Sequence, residues 1–333
     1  MNAFTLAGIE VPPGSQVRGL LPLTDRLDRT TVGIPYVITH GSQPGPVLLV
    51  DAGTHGDETE GILAVQQLSR EVTAGQLSGT LVAVPALNYL AAEGMSRLTP
   101  KTLLGEPNST DLNRSFPGRP DGSTTQRLAH RYGTEVIPRA DYLITCHGAG
   151  ASLMVGHKVL FEDDGTEWGK RNWELARALG WPVLCTEVGY TGTSMDVAKQ
   201  HGIPCIVPEC GGADRLPDGH RAAVRSIVDG LLNVCRHLGM LTGQVRRPER
   251  YVHYSGNEHV HAGRDGFLEY EPGFDLGSEV RKGQRVGVLR DVYGDLAQEL
   301  VSDWDGTITL VRRYPLVRTG DWICSVTRPA GGS

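Results

Sequence analysis

Two polar residues of the chain, His55 and Glu58, lie three positions apart, shortly after the apolar run at residues 47–50. A third, His147, follows another apolar run at residues 142–146. Two histidines and one glutamate are a recurrent ligand set of catalytic zinc, in which the fourth coordination position is left open for water. Because a His-x-x-Glu pair alone arises often by chance, the prediction of a zinc site depends on the shared position of all three residues after apolar runs.

The apolar runs are the elements that must position these ligands. Short apolar runs bounded by turn residues are typical of buried parallel strands, and open α/β sheets bind ligands beyond the carboxyl ends of such strands. Two further runs, at residues 81–87 and 204–208, lead to Asn88 and Glu209. Convergence of the strand ends would bring Glu209 and the three candidate ligands into one site.

Glu209 is the candidate general base of this site. Hydrolysis of an amide with zinc requires an activated water, a base that moves protons, and a cation beside the developing oxyanion. Shortly after Glu209 come Gly211 and Gly212, which lack side chains and would let a substrate approach closely. The alternative interpretation of Glu209 is a structural carboxylate that accepts hydrogen bonds from backbone donors.

The segment at residues 111–118 contains the adjacent pair Asn113 and Arg114. An arginine guanidinium can bind a carboxylate through two parallel hydrogen bonds, and a neighbouring asparagine can add a third. The pair therefore indicates recognition of a substrate carboxylate. A surface ion pair, which is the common fate of an arginine in a loop, is the alternative.

The composition disfavours several classes of protein. The chain has 333 residues with a net charge of -6, and this mildly acidic charge argues against nucleic-acid partners. The sequence shows no secretory signal pattern and no apolar run near the roughly 20 residues that span a bilayer, so we expect a cytoplasmic protein without a membrane partner. The six cysteines are scattered, form no C-x-x-C pair, and are expected to be buried free thiols.

The sequence pattern changes near residue 243. Before this point, helical periodicity alternates with strand-like runs, which predicts an α/β domain at residues 1–243 with a mixed, mostly parallel sheet flanked by helices. After it, short strands with glycine turns predict a small all-β domain at residues 244–333 that looks like a barrel-sandwich hybrid. The lysine that biotinyl and lipoyl carriers modify is not evident at the turn of Asp305 and Gly306, which disfavours a carrier role.

Four motifs, in their order and spacing, resemble the succinylglutamate desuccinylase/aspartoacylase family, a branch of the zinc carboxypeptidase-like fold. They are the segments at residues 55–58, 111–118, 147–148 and 209–212. The resemblance spans nearly the whole chain. It implies one zinc ion per chain on the three candidate ligands and Glu209 as the general base. It also implies that Asn113 and Arg114 grip a substrate carboxylate.

The resemblance further implies an arginine, upstream of the Asn-Arg pair, that polarises the scissile carbonyl. Arg97 is the best candidate, with Arg119 and Arg127 as alternatives. The distance of Arg97 from the Asn-Arg pair resembles the branch of the family that deacylates acetylated diamino acids. A departure from the family pattern is Thr145, which stands two residues before His147, where many relatives have aspartate.

Together these patterns predict a zinc-dependent amide hydrolase that removes the acyl group from an N-acylated amino acid or a similar small carboxylate. A metallocarboxypeptidase for small peptides is the runner-up, and a catalytically silent binding protein of the same fold is a further alternative. The expected partner is a small-molecule substrate, and homo-oligomerisation is left open. We also expect residues 244–333 to narrow the entrance of the site, with His253, His259 and His261 on the surface.

Overall fold

The computed structural model of the protein describes residues 2–100, 110–187, 191–213 and 217–330. In these ranges the α-helices are α1 (Thr59–Glu71), α2 (Tyr89–Glu93), α3 (Thr124–Arg131), α4 (Glu167–Leu179), α5 (Ser194–Gln200) and α6 (Pro217–His237). Shorter helical turns lie at Leu112–Arg114, Tyr132–Val136 and Ile137–Arg139.

The strands of the same ranges fall into two groups along the chain. Those before α6 are β1 (Phe4–Leu6), β2 (Ile9–Val11), β3 (Ser15–Asp25), β4 (Thr31–His40), β5 (Gln43–Ala52), β6 (Ser78–Val84), β7 (Tyr142–Cys146), β8 (Leu153–Phe161), β9 (Val183–Thr186) and β10 (Cys205–Gly212). Those after α6 are β11 (Val252–His261), β12 (Gly266–Tyr270), β13 (Glu279–Val280), β14 (Arg285–Arg290), β15 (Leu296–Val301), β16 (Gly306–Arg312), β17 (Leu316–Val317) and β18 (Trp322–Pro329).

One long sheet organises the molecule. Its strand order is β13-β16-β18-β11-β9-β8-β10-β7-β5-β6-β4-β3. The pairs from β6 through β5 and β7 to β10 are parallel, whereas the two ends of the sheet are antiparallel. The sheet is therefore mixed, with a parallel centre. Parallel strands need cover on both faces, and this requirement explains why helices pack on each side of that centre.

Two hydrophobic clusters cover the faces of the parallel centre. On one face, α1, α4 and α6 pack against the sheet, with Leu68, Leu175 and Leu231 fully or almost fully buried. On the other face, α3, the turn that follows it and α5 bury Tyr132 and Val197. The helices begin at side-chain caps where a sharp start is required. Ser123 and Thr193, for example, form reciprocal capping boxes at the first residues of α3 and α5.

The sheet closes into a ring at one end. β16 pairs with β8 in addition to β18, so β8, β9, β11, β18 and β16 follow one another around a closed circuit. Two of these strands precede α6 and three follow it. The chain before and after residue 243 is therefore joined by backbone hydrogen bonds, and β9 lies between β8 and β11.

The architecture agrees with the expected α/β region followed by a β-rich C-terminal region. The helical periodicity expected before residue 243 corresponds to α1, α3, α4, α5 and α6, and residues 244–330 contain strands and turns without a helix. All six cysteines are buried and none forms a disulfide, as expected. None of the helices in the described ranges has both the length and the apolar character needed to cross a membrane. The domain division at residue 243 and the barrel-sandwich assignment stay predictions.

Candidate active site

Three neighbouring strands carry the candidate ligands and base. β5 runs parallel to β7, and β7 runs parallel to β10, so their carboxyl ends lie at the same edge of the sheet. His55 and Glu58 follow β5, and His147 follows β7. Glu209 lies within β10, and a parallel bridge joins its backbone to that of His147. The structure thus brings these four residues together.

The Glu58 carboxylate lies between the two histidines. His55 Nδ1 is 2.7 Å from Glu58 Oε1, and His147 Nδ1 is 2.9 Å from Glu58 Oε2. The backbone N–H of Gly148 donates to the same Oε2 at 3.1 Å. The three side chains are between 2% and 5% exposed, and one candidate ligand atom from each lies within 4.8 Å of the others. Such a compact, buried His-Glu-His group could hold a metal ion.

The electrostatics of this cluster favour a cation. Burial lowers the pKa of His55, but the Glu58 carboxylate and a hydrogen bond to Asp111 together outweigh this effect and raise it to about 9. Burial opposes ionisation of Glu58, yet His55 and His147 hold its pKa well below the usual range. The cluster therefore retains positive charge beside a buried carboxylate. A divalent cation can supply that charge in place of a histidine proton, and the donor set is one that zinc prefers.

Arg97, which lies shortly after α2, and Asp111, which precedes the helical turn at Leu112–Arg114, reach the same cluster. Arg97 Nη1 lies 3.2 Å from Glu58 Oε1, and its side chain is 45% exposed. Asp111 Oδ1 lies 3.2 Å from His55 Nε2. Although burial raises the pKa of Asp111, its bond to His55 and the nearby charges lower it to about 2. Asp111 was not selected from the sequence, although it begins the segment that contains the Asn-Arg pair.

The predicted carboxylate-binding pair lines a cavity that also includes the His-Glu-His cluster. Asn113 and Arg114 are among the residues that line it, as is Arg97. Arg114 Nη1 donates to the Asn113 carbonyl at 2.7 Å. The two alternative arginines lie elsewhere. Arg119 pairs with Asp121, and Arg127 donates to a backbone carbonyl, and neither side chain lines the cavity.

Glu209 occupies an irregular position in its strand. The pairing of β10 with β8 shifts register between Glu209 and Gly211, which is the signature of a β-bulge, and bulges re-aim side chains next to active sites. Burial raises the pKa of Glu209, and the nearby Glu58 carboxylate also raises it, whereas His147 and Lys158 lower it. The result is a pKa of about 7. A carboxyl group of this kind can accept and release a proton near neutral pH.

The glycines after Glu209 are explained by packing. Gly211 and Gly212 have φ values of 107° and 126°, which side-chain-bearing residues rarely adopt. A Cβ atom on Gly211 would lie 2.4 Å from Glu60 Oε1, and the N–H of Gly212 donates to that same oxygen at 3.0 Å. Glu60 therefore fixes the backbone immediately beyond the base. Close approach of a substrate, the explanation from the sequence, stays a prediction beside this contact within the chain.

The unusual Thr145 has a structural role beside the ligands. Its hydroxyl donates to Asp51 Oδ1 at 2.6 Å, and the Tyr132 hydroxyl donates to Asp51 Oδ2 at the same distance. Asp51 is fully buried in β5, and burial raises its pKa. The buried aspartate therefore lies on the strand that precedes His55, and Thr145 satisfies it from the neighbouring strand.

A cavity of about 160 Å³ extends from the His-Glu-His cluster towards the closed ring of strands. Its wall includes Lys158 of β8, Glu187 after β9, and three residues beyond position 244, which are Asn257, Leu310 and Trp322. The C-terminal region therefore contributes directly to the site, and narrowing of the entrance stays a prediction. The volume suits one small molecule.

Of the three histidines expected on the surface, two are only partly exposed, and one of these is His253. His259, expected on the surface, is only partly exposed and stacks on Trp322 with ring centroids 3.9 Å apart. Burial lowers its pKa to about 4, and the charge of Lys158 acts in the same direction. His261 is exposed, as predicted. The only sequence signal for His259 is its place in a strand whose neighbours face a cavity, and that becomes visible only after the ring has closed.

Three comparisons with known proteins agree on the same group. The model of the succinylglutamate desuccinylase/aspartoacylase catalytic domain matches residues 44–238. An N-alpha-acetyl-L-2,4-diaminobutyric acid deacetylase from Halomonas elongata is 28% identical over 92% of this chain and 90% of its own length.

Solved structures extend this likeness to the fold. A succinylglutamate desuccinylase/aspartoacylase from Rhodobacter sphaeroides is 28% identical, with a TM-score of 0.82 over 94% of this chain and 96% of its own. The product-bound ectoine utilization protein EutE (DoeB) from Ruegeria pomeroyi is 26% identical, with a TM-score of 0.83 over 94% and 95% of the two chains. The similarity therefore includes the β-rich C-terminal region as well as the α/β region.

Proposed function

Because the chain belongs to the succinylglutamate desuccinylase/aspartoacylase family, we propose that it is a zinc-dependent deacylase of N-acyl amino acids. The observation that carries this proposal is the buried His55–Glu58–His147 cluster, with Glu209 bridged to it. Hydrolysis of an amide by a deacylase agrees with the name of the Halomonas elongata relative. The finer assignments, the metal and the role of each residue, are our proposals.

His55, Glu58 and His147 would hold the zinc ion. When bound, zinc supplies a Lewis acid for the amide carbonyl and makes a water molecule more acidic. Glu209 would take a proton from the attacking water on its carboxylate and later deliver it to the leaving nitrogen. A pKa of about 7 for Glu209 suits both steps, because the group can hold and release the proton at neutral pH.

Three side chains that line the cavity, those of Arg97, Asn113 and Arg114, position the substrate. Arg97, held 3.2 Å from Glu58, lies where a guanidinium can stabilise the negative charge that develops on the carbonyl oxygen. Asn113 and Arg114 line the same cavity and bind the carboxylate of the amino acid. This division separates transition-state stabilisation from ground-state binding.

For the substrate, we propose an Nα-acetylated diamino acid of the size of 2,4-diaminobutyrate. The Halomonas elongata relative is named for the deacetylation of this compound, and the Ruegeria pomeroyi structure is of an ectoine utilization protein. A cavity of about 160 Å³ is consistent with a single small amino acid derivative. It is smaller than the roughly 300 Å³ or more of cavities that hold larger ligands.

Amine release from a defined panel tests the proposal. The zinc-loaded protein would be assayed with Nα-acetyl-2,4-diaminobutyrate, other N-acetyl and N-succinyl amino acids, and C-terminally unblocked dipeptides. We expect hydrolysis of N-acetyl amino acids and little cleavage of dipeptides. Faster hydrolysis of dipeptides would instead support the metallocarboxypeptidase alternative. Binding of these compounds without turnover of any would support the silent binding protein.

A further inference from the structure

Two buried oxygen atoms at the far wall of the cavity have no hydrogen-bond donor within the described part of the chain. Glu187 Oε1 and Asn257 Oδ1 are both shielded from solvent, and neither has a hydrogen-bond partner in the described ranges. Both residues line the cavity. Buried acceptors of this kind are rare in folded proteins because loss of water is not compensated, so each calls for a ligand that donates.

The Glu187 carboxylate has no cation of its own in the part of the chain that the structure describes. Glu162, which also lines the cavity, is by contrast paired with Lys199. Burial raises the pKa of Glu187, and the charge of Lys158 and a side-chain hydrogen bond from Asn257 act in the opposite direction. A cation bound beside Glu187 would therefore favour its ionised form.

The two side chains are neighbours, since a hydrogen bond from Asn257 opposes the rise that burial causes in the pKa of Glu187. Glu187 is the first residue after β9, which is one of the strands of the ring. Asn257 lies in a register shift of the β11–β18 pairing between Ser255 and Glu258, next to Gly256 with φ of 77°. A β-bulge turns a side chain away from its regular alternation. The irregular part of β11 is therefore the part that contributes Asn257 to the cavity wall.

We propose that Glu187 and Asn257 form a binding subsite for a primary ammonium group on the side chain of the substrate. An ammonium has three N–H donors, which can satisfy Glu187 Oε1 and Asn257 Oδ1 together and place a positive charge beside the Glu187 carboxylate. This inference rests on the proposed deacylase function and adds the residues that select a diamino acid.

Substrate pairs that differ only in charge test the subsite. Nα-acetyl-2,4-diaminobutyrate and N-acetylnorvaline have side chains of the same length, one ending in an ammonium and the other in a methyl group. We expect the protein to prefer the diamino compound by on the order of 10²-fold in kcat/KM, mainly through KM, since a charge-assisted hydrogen bond to a buried group is lost with norvaline.

Two variants localise this preference. Glu187→Gln keeps the shape of the side chain and removes its charge, and Asn257→Leu removes the second acceptor. We expect Glu187→Gln to reduce the preference by at least tenfold and Asn257→Leu to reduce it less. The matched control is Glu162→Gln, a cavity carboxylate that already has a lysine partner, and it should keep the preference ratio. N-acetylnorvaline turnover in each variant reports the fold and the metal site.

The outcomes separate this inference from the proposed function. Equal turnover of the two substrates by the parent protein, or an equal loss on both in Glu187→Gln, overturns the subsite while the deacylase function stands. If neither compound is hydrolysed, the deacylase proposal fails, and calorimetric titration with free 2,4-diaminobutyrate and norvaline still decides the subsite. Tighter binding of the diamino acid, lost in Glu187→Gln, supports it, and equal binding overturns it.

Discussion

The two ends of the cavity differ in how their polar groups are satisfied. At the inner end, Glu58 accepts bonds from His55, His147 and a backbone N–H, so its carboxylate is satisfied within the chain. At the far wall, Glu187 and Asn257 keep buried acceptors without donors in the described ranges. The first arrangement forms a self-consistent cluster before any ligand binds, whereas the second is complete only when something else enters.

This difference suggests separate origins for chemistry and selectivity. A cluster that is held together by its own hydrogen bonds keeps its geometry, which a catalytic group requires. Unsatisfied acceptors destabilise the wall but create a large penalty for any ligand that fails to donate. We therefore expect changes at the inner end to affect turnover, and changes at the far wall to affect substrate choice and stability.

Removal of the metal is expected to have the largest effect. The purified protein should contain about one zinc ion per chain, and treatment with a strong chelator should abolish hydrolysis. The double variant His55→Ala, His147→Ala should lose the zinc, as measured by atomic emission, whereas His157→Ala, an exposed histidine of β8, should keep it. Stoichiometric zinc retained in the double variant would contradict the ligand assignment.

Glu209→Gln is expected to have the second-largest effect. If Glu209 moves the proton, this variant should keep its zinc and its fold but lose on the order of 10² to 10⁴ in kcat. Steady-state kinetics and zinc content of the same preparation provide the measurement. Turnover close to that of the parent protein would instead leave Glu209 as a structural carboxylate of the bulged strand.

Arg97 and Arg114 should divide between kcat and KM. Arg97→Met should lower kcat by on the order of 10²-fold, because a cation beside the oxyanion acts mainly in the transition state. Arg114→Ala should raise KM for free acids and should have little further effect on substrates with an amidated carboxylate. A raised KM with intact kcat in the Arg97 variant would assign it to ground-state binding.

A smaller effect is expected on stability, where loss of the Glu187 charge at the far wall should be favourable. Burial raises the pKa of Glu187, so its ionisation costs stability, and this cost grows as the pH rises through the folded-state pKa. Glu187→Gln should therefore increase the free energy of unfolding by about 1 kcal/mol at pH 7 without substrate. Urea unfolding would show it. Glu162→Gln, which breaks the pair with Lys199, should give no increase.

The smallest expected effect is on the loss of folding stability at acidic pH. Burial lowers the pKa of His259 to about 4 from its ordinary 6.5, so the unfolded chain binds a proton in this window while the folded chain does not. The contribution of His259 is therefore lost as the pH falls from 6.5 to 4. Unfolding at pH 7 and pH 5 should show a smaller acid loss in His259→Gln than in the parent protein or in His157→Gln. An equal loss in all three proteins would refute the shift.

The sequence predicts the inner end better than the far wall for a physical reason. His55, Glu58 and His147 follow short apolar runs, and strand-to-loop junctions are local signals that converge by the general geometry of parallel sheets. Glu187 follows a four-residue strand and resembles a surface carboxylate until β11 pairs beside it. Asn257 depends on a bulge whose register is set by a distant strand. Such non-local pairings leave no periodic pattern in the sequence.

The continuous sheet also has a consequence for the protein's resistance to self-association. β9, with the apolar residues Val183, Leu184 and Cys185, is covered on one side by β8 and on the other by β11. A chain that ended near residue 243 would leave the β11 side of this strand as an open edge, with a row of unpaired N–H and C=O groups. Such an edge pairs readily with another chain. The strands after residue 243 therefore cover this edge and prevent its pairing with another chain.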